Sequence, residues 1–178
     1  MLEIDELKLI NAALYVMEKL TPEERDFHKI LKIFWFADLK HIKEYGRPIT
    51  EDAYYKMKDG PVLTLLYDIF KAVRDNNEPL CSKYSQCIEV YGNHMINPLK
   101  RADMDYLSGS DIDALDNSIE ENRSFTKDEL SDKSHGLAWE KSFLSSEIRL
   151  ETILDELGMQ GKARKEVLEA KAFARAFA

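Results

Sequence analysis

Asp38 and His41 are the two polar residues whose types and spacing could do chemistry in this sequence. They lie three positions apart in a segment with helical periodicity, so their side chains share one face of a helix. A carboxylate and an imidazole can ligate a metal ion or act as an acid–base pair, with His135 as a distant third member. The other interpretation is a hydrogen-bond network that fixes this helix to the loop carrying His135. No third ligand or activated nucleophile lies nearby in the sequence, which favours the network.

Catalytic signatures with a defined spacing are absent from the sequence. It contains no GxSxG, Walker loop, GxGxxG, CxxC or HExxH motif. We therefore predict that the protein is not an enzyme and that it uses no cofactor and no metal ion. A metal-dependent enzyme built on Asp38, His41 and His135 is kept as the least favoured alternative.

The composition is typical of one soluble globular domain. The 178 residues are 44% hydrophobic and 33% charged. Apolar runs are short and the first residues are acidic, so we predict no membrane segment, no signal peptide and a cytoplasmic location.

The net charge of −8 is unevenly distributed along the chain. Residues 159–178 contain five basic and two acidic side chains, which leaves −11 on the first 158 residues. An acidic body repels a phosphate backbone, so the charge distribution argues against DNA binding and suits a basic protein partner.

Hydrophobic periodicity predicts a mainly α (α+β) fold, a single helical domain of about six to eight helices with a small antiparallel β-hairpin or sheet. Residues 53–58 are compatible with a short strand or a loose turn. A strand from Tyr84 to Tyr91 is expected to turn at Gly92-Asn93 and return through His94-Met95-Ile96. The predicted helices cover residues 5–20, Pro22 to about Gly46 after a Thr21 cap, Val62 to about 75, Ser108 to about Asn122, Lys127 to Asp132, a segment capped by Ser145 or Ser146, and Lys162 onward.

The predicted domain organisation places the helical domain in residues 1–158. Residues 159–178 are expected to form a basic C-terminal helix or tail, packed on that domain or on a partner. One face of this helix would carry Ala163, Val167, Ala170, Ala174 and Phe177.

Two blocks of residues carry a resemblance to a known family. The first runs Phe36-Ala37-Asp38-Leu39-Lys40-His41, Tyr45-Gly46-Arg47-Pro48-Ile49-Thr50, Asp52, Tyr54, Met57, Gly60-Pro61-Val62 and Leu66-Tyr67-Asp68. The second runs Leu107-Ser108, Ser110-Asp111, Ala114-Leu115-Asp116, Leu130-Ser131, Ser134-His135 and Ala138-Trp139. In this order and spacing they resemble the Panacea domain, also called the SocA-like or phage-associated domain, over roughly residues 7–140.

The resemblance implies an antitoxin of a bacterial or phage toxin–antitoxin pair. Its partner would be a cognate protein toxin encoded nearby, neutralised by direct binding. The SocA branch of the family implies an alternative, a proteolytic adaptor that delivers the toxin to a AAA+ protease. Neither hypothesis involves a membrane, and the oligomeric state stays open.

Contact residues for the partner are predicted in and near the loop that follows Gly46. Trp139 has two interpretations, core packing or an interface anchor. Residues expected to shape the structure are Asp38, His41, Gly46, Pro48, Gly60 and Pro61. Residues expected to contact the partner are Arg47, Tyr54, Lys56, His135 and Trp139.

Overall fold

The computed structural model describes residues 6–176, apart from the side chains of residues 174 and 175. The described residues form nine α-helices and two antiparallel two-stranded sheets, which confirms the predicted fold class. The number of helices exceeds the six to eight that were predicted, because α4 and α7 have five residues each and are too short for hydrophobic periodicity to reveal. The elements are α1 Glu6–Lys19, α2 Phe27–Tyr45, β1 Tyr54–Met57, β2 Gly60–Leu63, α3 Thr64–Asp75, α4 Leu80–Tyr84, β3 Ile88–Tyr91, β4 Met95–Pro98, α5 Gly109–Asn122, α6 Lys127–Ser134, α7 Leu137–Lys141, α8 Leu150–Glu156 and α9 Gly161–Ala176.

The central helix α2 is buried on most of its circumference, because its middle is apolar nearly all round. It packs against α5, where the Ser118 hydroxyl donates to the Ile33 carbonyl at 2.7 Å. Gly46 ends it in a left-handed conformation with φ of 72°, as predicted. The predicted start at Pro22 is wrong, because the Thr21 capping box closes a separate 3-10 turn and Asp26 caps α2.

Strand β1 pairs with β2 and also with a later segment, residues 145–148. The Ser145 amide donates to the Lys56 carbonyl at 2.8 Å, and the Ile148 amide donates to the Tyr54 carbonyl at 2.7 Å. The prediction that Ser145 or Ser146 caps a helix is therefore wrong, and α8 begins at Leu150. Pairing with β1 satisfies the backbone of this segment, and a helix would have broken that pairing.

The second sheet, β3 with β4, is the predicted hairpin with a shifted start. Tyr84 ends α4 and does not begin the strand. The hairpin is joined to the start of α2, since the Ile96 amide donates to the Arg25 carbonyl at 2.8 Å.

The C-terminal helix α9 packs against the rest of the protein through Val167, which belongs to the hydrophobic core. Ala163 and Ala170, predicted on the same face, are exposed. The Ala174 side chain and Phe177 lie outside the described residues. The boundary between residues 1–158 and 159–178 stays a prediction. Within residues 6–176, no helix is long and apolar enough to cross a bilayer.

Candidate functional site

Asp38 is the centre of the first buried polar network. Its side chain faces the loop after α2, where the Ile49 amide donates to Oδ1 at 2.6 Å and the Tyr54 hydroxyl donates to Oδ2 at 2.7 Å. Burial raises the pKa of Asp38 to about 7, although both hydrogen bonds act in the opposite direction. The network ties α2 to the loop and to β1.

Tyr54 belongs to this network and does not lie on the surface. It is 5% exposed and its ring packs edge-on against Trp35 at 4.8 Å between centroids. Tyr54 therefore has a structural part inside the protein, and its contact with a partner stays a prediction. Alternation along β1 cannot show whether Tyr54 is buried or exposed, because burial depends on what covers that face of the strand.

Replacing Tyr54 with phenylalanine is expected to destabilise the fold, since Asp38 loses a donor inside the protein. We expect a loss of about 1–3 kcal/mol. The folded pKa of Asp38 lies above its unfolded value, so stability falls as pH rises between the two, and the variant extends this fall to higher pH. Urea unfolding at about pH 5 and about pH 8 measures the difference, which should be larger at the higher pH. The exposed Tyr106→Phe variant is the control, and an equal loss at both pH values would contradict the prediction.

His41 is the centre of the second buried network, and it is fully buried. Its Nδ1 lies 2.8 Å from the Arg47 carbonyl, which can only accept, so Nδ1 carries the proton. The other nitrogen, Nε2, lies 3.0 Å from the Ser110 hydroxyl and 3.3 Å from Oδ1 of Asp111. Burial lowers the pKa of His41, which favours the neutral ring. The ring thus joins the end of α2 to the start of α5.

Asp111 completes this network, and the sequence analysis did not predict its part in it. It caps α5 with Ser108 and forms ion pairs with Lys8 at 2.8 Å and Arg47 at 3.1 Å. Burial acts to raise the pKa of Asp111, but hydrogen bonds from Lys8 and Ser108 outweigh it, and the pKa lies below its ordinary value. The Ser-x-x-Asp capping spacing was the only local signal, since Lys8 is about a hundred residues away in sequence.

His135 is not part of either network. It follows α6 and stacks on Trp139 with 3.7 Å between ring centroids. Asp38, His41 and His135 therefore do not form the three-residue site considered as an alternative. The favoured network is also wrong in one respect, because it holds the loop after α2 and does not reach the loop that carries His135. Within residues 6–176, no three histidine, cysteine, aspartate or glutamate side chains are grouped so that they could hold a metal ion.

Three of the predicted contact residues do come together. Lys56 on β1 places its Nζ 4.0 Å from the centre of the Trp139 ring, and His135 stacks on the same ring. The Trp139 indole donates to the Met57 carbonyl at 2.9 Å. Arg47 lies apart from this group, in the ion pair with Asp111, with 43% of its side chain exposed.

The protein continues from Trp139 into an exposed apolar tip, which the sequence analysis missed. Phe143 is 84% exposed and Leu144 is 64% exposed, directly before the segment that pairs with β1. Their only signal in the sequence was two adjacent apolar residues in a predicted connection. We call Lys56, His135, Trp139, Phe143 and Leu144 the Trp139 face.

Lys32 lies buried near His135 and close to the start of β2. Its Nζ donates to the Pro61 carbonyl at 2.8 Å, and the side chain is 1% exposed within the protein. Burial lowers the pKa of Lys32 to about 7. Gly60 allows this approach, since a Cβ there would lie 2.6 Å from Lys32 Nζ and 2.1 Å from Ser134 Oγ. The Gly60 φ of +101° also favours glycine.

These features define a mainly helical domain in which buried polar networks fix the loop between α2 and α3. The family model described as "Antitoxin SocA-like, Panacea domain" matches residues 30–140. The chain belongs to this family, as the resemblance in the sequence predicted. The match covers both networks except Lys8 and ends directly after Trp139, so α1, α8 and α9 lie outside it. Comparisons with curated proteins and with solved structures gave no significant match.

Proposed function

We propose that this protein is an antitoxin that neutralises a cognate protein toxin by direct binding. Membership of the SocA-like Panacea family is the observation that carries the proposal. The family implies a role without catalysis. The two buried networks agree with such a role, because they stabilise the structure. They use Asp38 and His41 to hold a loop, with both side chains inaccessible to a substrate.

The Trp139 face is the surface that we assign to the toxin. Large apolar side chains that are exposed together are typical of interaction sites, and tryptophan is enriched among the residues that dominate binding. The tip that carries Phe143 and Leu144 is held on its C-terminal side, because the Lys56 amide donates to the Ser146 carbonyl at 2.9 Å. The Lys56 Nζ also donates to the Ser142 carbonyl at 3.0 Å on the other side. Binding therefore orders few new groups, which lowers its entropic cost.

The charge of the protein favours a basic toxin. Outside residues 159–178 the chain carries −11, and such a field accelerates the encounter with a positively charged partner. Arg47, whose side chain is 43% exposed beside Asp111, is a further proposed contact. Because surface charge acts mainly on the association rate, the proposal implies slower association at higher salt.

Replacing both Phe143 and Leu144 with alanine is expected to weaken toxin binding by roughly a hundredfold, since the two most exposed anchors of the Trp139 face are lost. The fold should be unaffected, because neither side chain belongs to the core. Isothermal titration calorimetry with the purified toxin measures the affinity. The matched control is Leu99→Ala, which removes a side chain that is 48% exposed after β4. Equal affinities for the double variant and the control would exclude the Trp139 face as the binding surface.

Co-expression with the product of the neighbouring gene tests the function itself. We expect that product to arrest growth alone, to be tolerated with this protein, and to co-purify with it at an unchanged level. A toxin that disappears only when a AAA+ protease is intact would replace direct masking with the adaptor mechanism. A neighbouring product that is harmless alone would contradict the antitoxin proposal.

A further inference from the structure

Helix α9 covers a groove beside the loop that follows α2. One side of the groove is formed by residues 46–54 and the other by residues 147–153, with α9 lying across them. Its lining includes the apolar side chains of Ile42, Pro48, Ile148 and Ile153, and α9 contributes Val167 and Ala170. Helix α9 therefore lies against an apolar surface of the protein and forms one wall of the cavity left between them.

Gly46 forms the point of closest contact in this groove. A Cβ at Gly46 would lie 3.2 Å from Cγ2 of Val167, so the absent side chain leaves room for the valine. Val167 is 7% exposed and is the one buried side chain of α9 among those that the structure describes. Val167 is thus the buried apolar anchor of the helix, and the partly buried Leu168 packs against the same core beside it.

Arg164 ties α9 to α8 by polar contacts at the surface. It pairs with the exposed carboxylate of Asp155 at 2.8 Å and donates to the backbone carbonyl of Glu151 at 3.2 Å. Ion pairs at the surface contribute little net stability. The groove also has exposed carboxylates, Glu51 and Glu147, near the basic Lys171. Its chemistry suits a basic helix with one branched apolar side chain.

We propose that this groove is a helix-binding site, that α9 fills it in the free protein, and that a basic amphipathic helix of the toxin displaces α9 from it. The toxin part of this inference rests on the proposed function above. The occupant is specified by the side chains that α9 now places in the groove, which are a small branched side chain opposite Gly46 and the basic Lys171 near Glu51 and Glu147. The Trp139 face would make the remaining contacts, because β1 runs from the groove at Tyr54 to Lys56.

A labelled peptide with the sequence of residues 159–178 tests the groove without the toxin. We expect full-length protein carrying Val167→Asp to bind this peptide roughly tenfold or more tightly than the wild type does, because its own helix is released. Fluorescence anisotropy measures both affinities. The same peptide with aspartate at the Val167 position is the control and should not bind. Equal affinity of the variant and the wild type for the unmodified peptide would overturn the inference.

A milder variant keeps the test valid if the aspartate disturbs the fold. Val167→Ala should give an intermediate affinity for the peptide, and circular dichroism verifies the helical content of both variants. In the presence of the toxin, the peptide should compete with it for the Val167→Asp protein. Toxin binding without competition would refute the groove as its site and leave the antitoxin proposal intact. Peptide binding by the variant without any toxin binding would leave the groove intact and refute the proposed function.

Discussion

Gly60→Ala is expected to destabilise the fold by roughly 3 kcal/mol, because the new methyl group would combine backbone strain with overlap. The φ of +101° is one that side chains with a Cβ rarely adopt. The Cβ would also lie 2.1 Å from Ser134 Oγ and 2.6 Å from Lys32 Nζ. For a domain of this size the loss corresponds to a fall in Tm of roughly 10 °C, measured by differential scanning calorimetry.

Gly92→Ala is the matched control for this prediction. Gly92 also has a positive φ, of +60°, but no atom lies within 4 Å of the position that its Cβ would take. It reports the conformational strain alone, which we expect to cost about 1 kcal/mol. Combining Gly60→Ala with Ser134→Ala should recover part of the loss, since the shortest contact is removed. A Gly60 variant no less stable than the Gly92 variant would show that Lys32 and Ser134 do not pack tightly against this turn.

Lys32→Met is expected to stabilise the protein near neutral pH, because methionine has a similar volume and carries no charge to bury. Burial lowers the folded pKa of Lys32 to about 7, below its value in the unfolded chain. The unfolded state therefore binds more protons above that pH, and the stability of the wild type rises as pH increases from 7 towards 10. We expect the advantage of the variant to shrink by roughly 2–3 kcal/mol between about pH 7 and about pH 9.

The lost hydrogen bond to the Pro61 carbonyl offsets part of this gain, by about 1–2 kcal/mol. Urea unfolding across this pH range measures the free energy of unfolding of the variant and of the wild type. The contributions of the other titrating groups largely cancel in the difference between the two values. Lys43→Met, at an exposed position on α2, is the control and should leave the pH dependence of the wild type unchanged. A constant difference between Lys32→Met and the wild type would mean that the lysine does not change its charge within the folded protein over this range.

Features that depend on neighbouring residues were predictable from the sequence. The apolar run in α2, its end at Gly46, the capping spacings at Ser108 and Thr126 and the β3–β4 hairpin all arise within a few residues, and the structure contains each of them. The family was predictable for a related reason, since its two blocks keep their order and spacing along the chain. The placement of Asp38 and His41 on one helical face was also predictable, but their hydrogen-bond partners, which belong to two separate networks, were not.

Contacts between distant parts of the chain were decided by the tertiary structure. Tyr54 is buried, and its hydroxyl donates to Asp38. The alternation of residues along β1 does not show whether this face of the strand is covered or lies in solvent. Residues 145–148 pair with β1 although their sequence permits a helix start, since the backbone of β1 offers them hydrogen bonds. The same pairing holds the connection that carries the exposed Phe143 and Leu144, which belong to the proposed binding surface. Spacing along a chain specifies which groups share an element, whereas the packing of the elements decides which of those groups remain accessible to a partner.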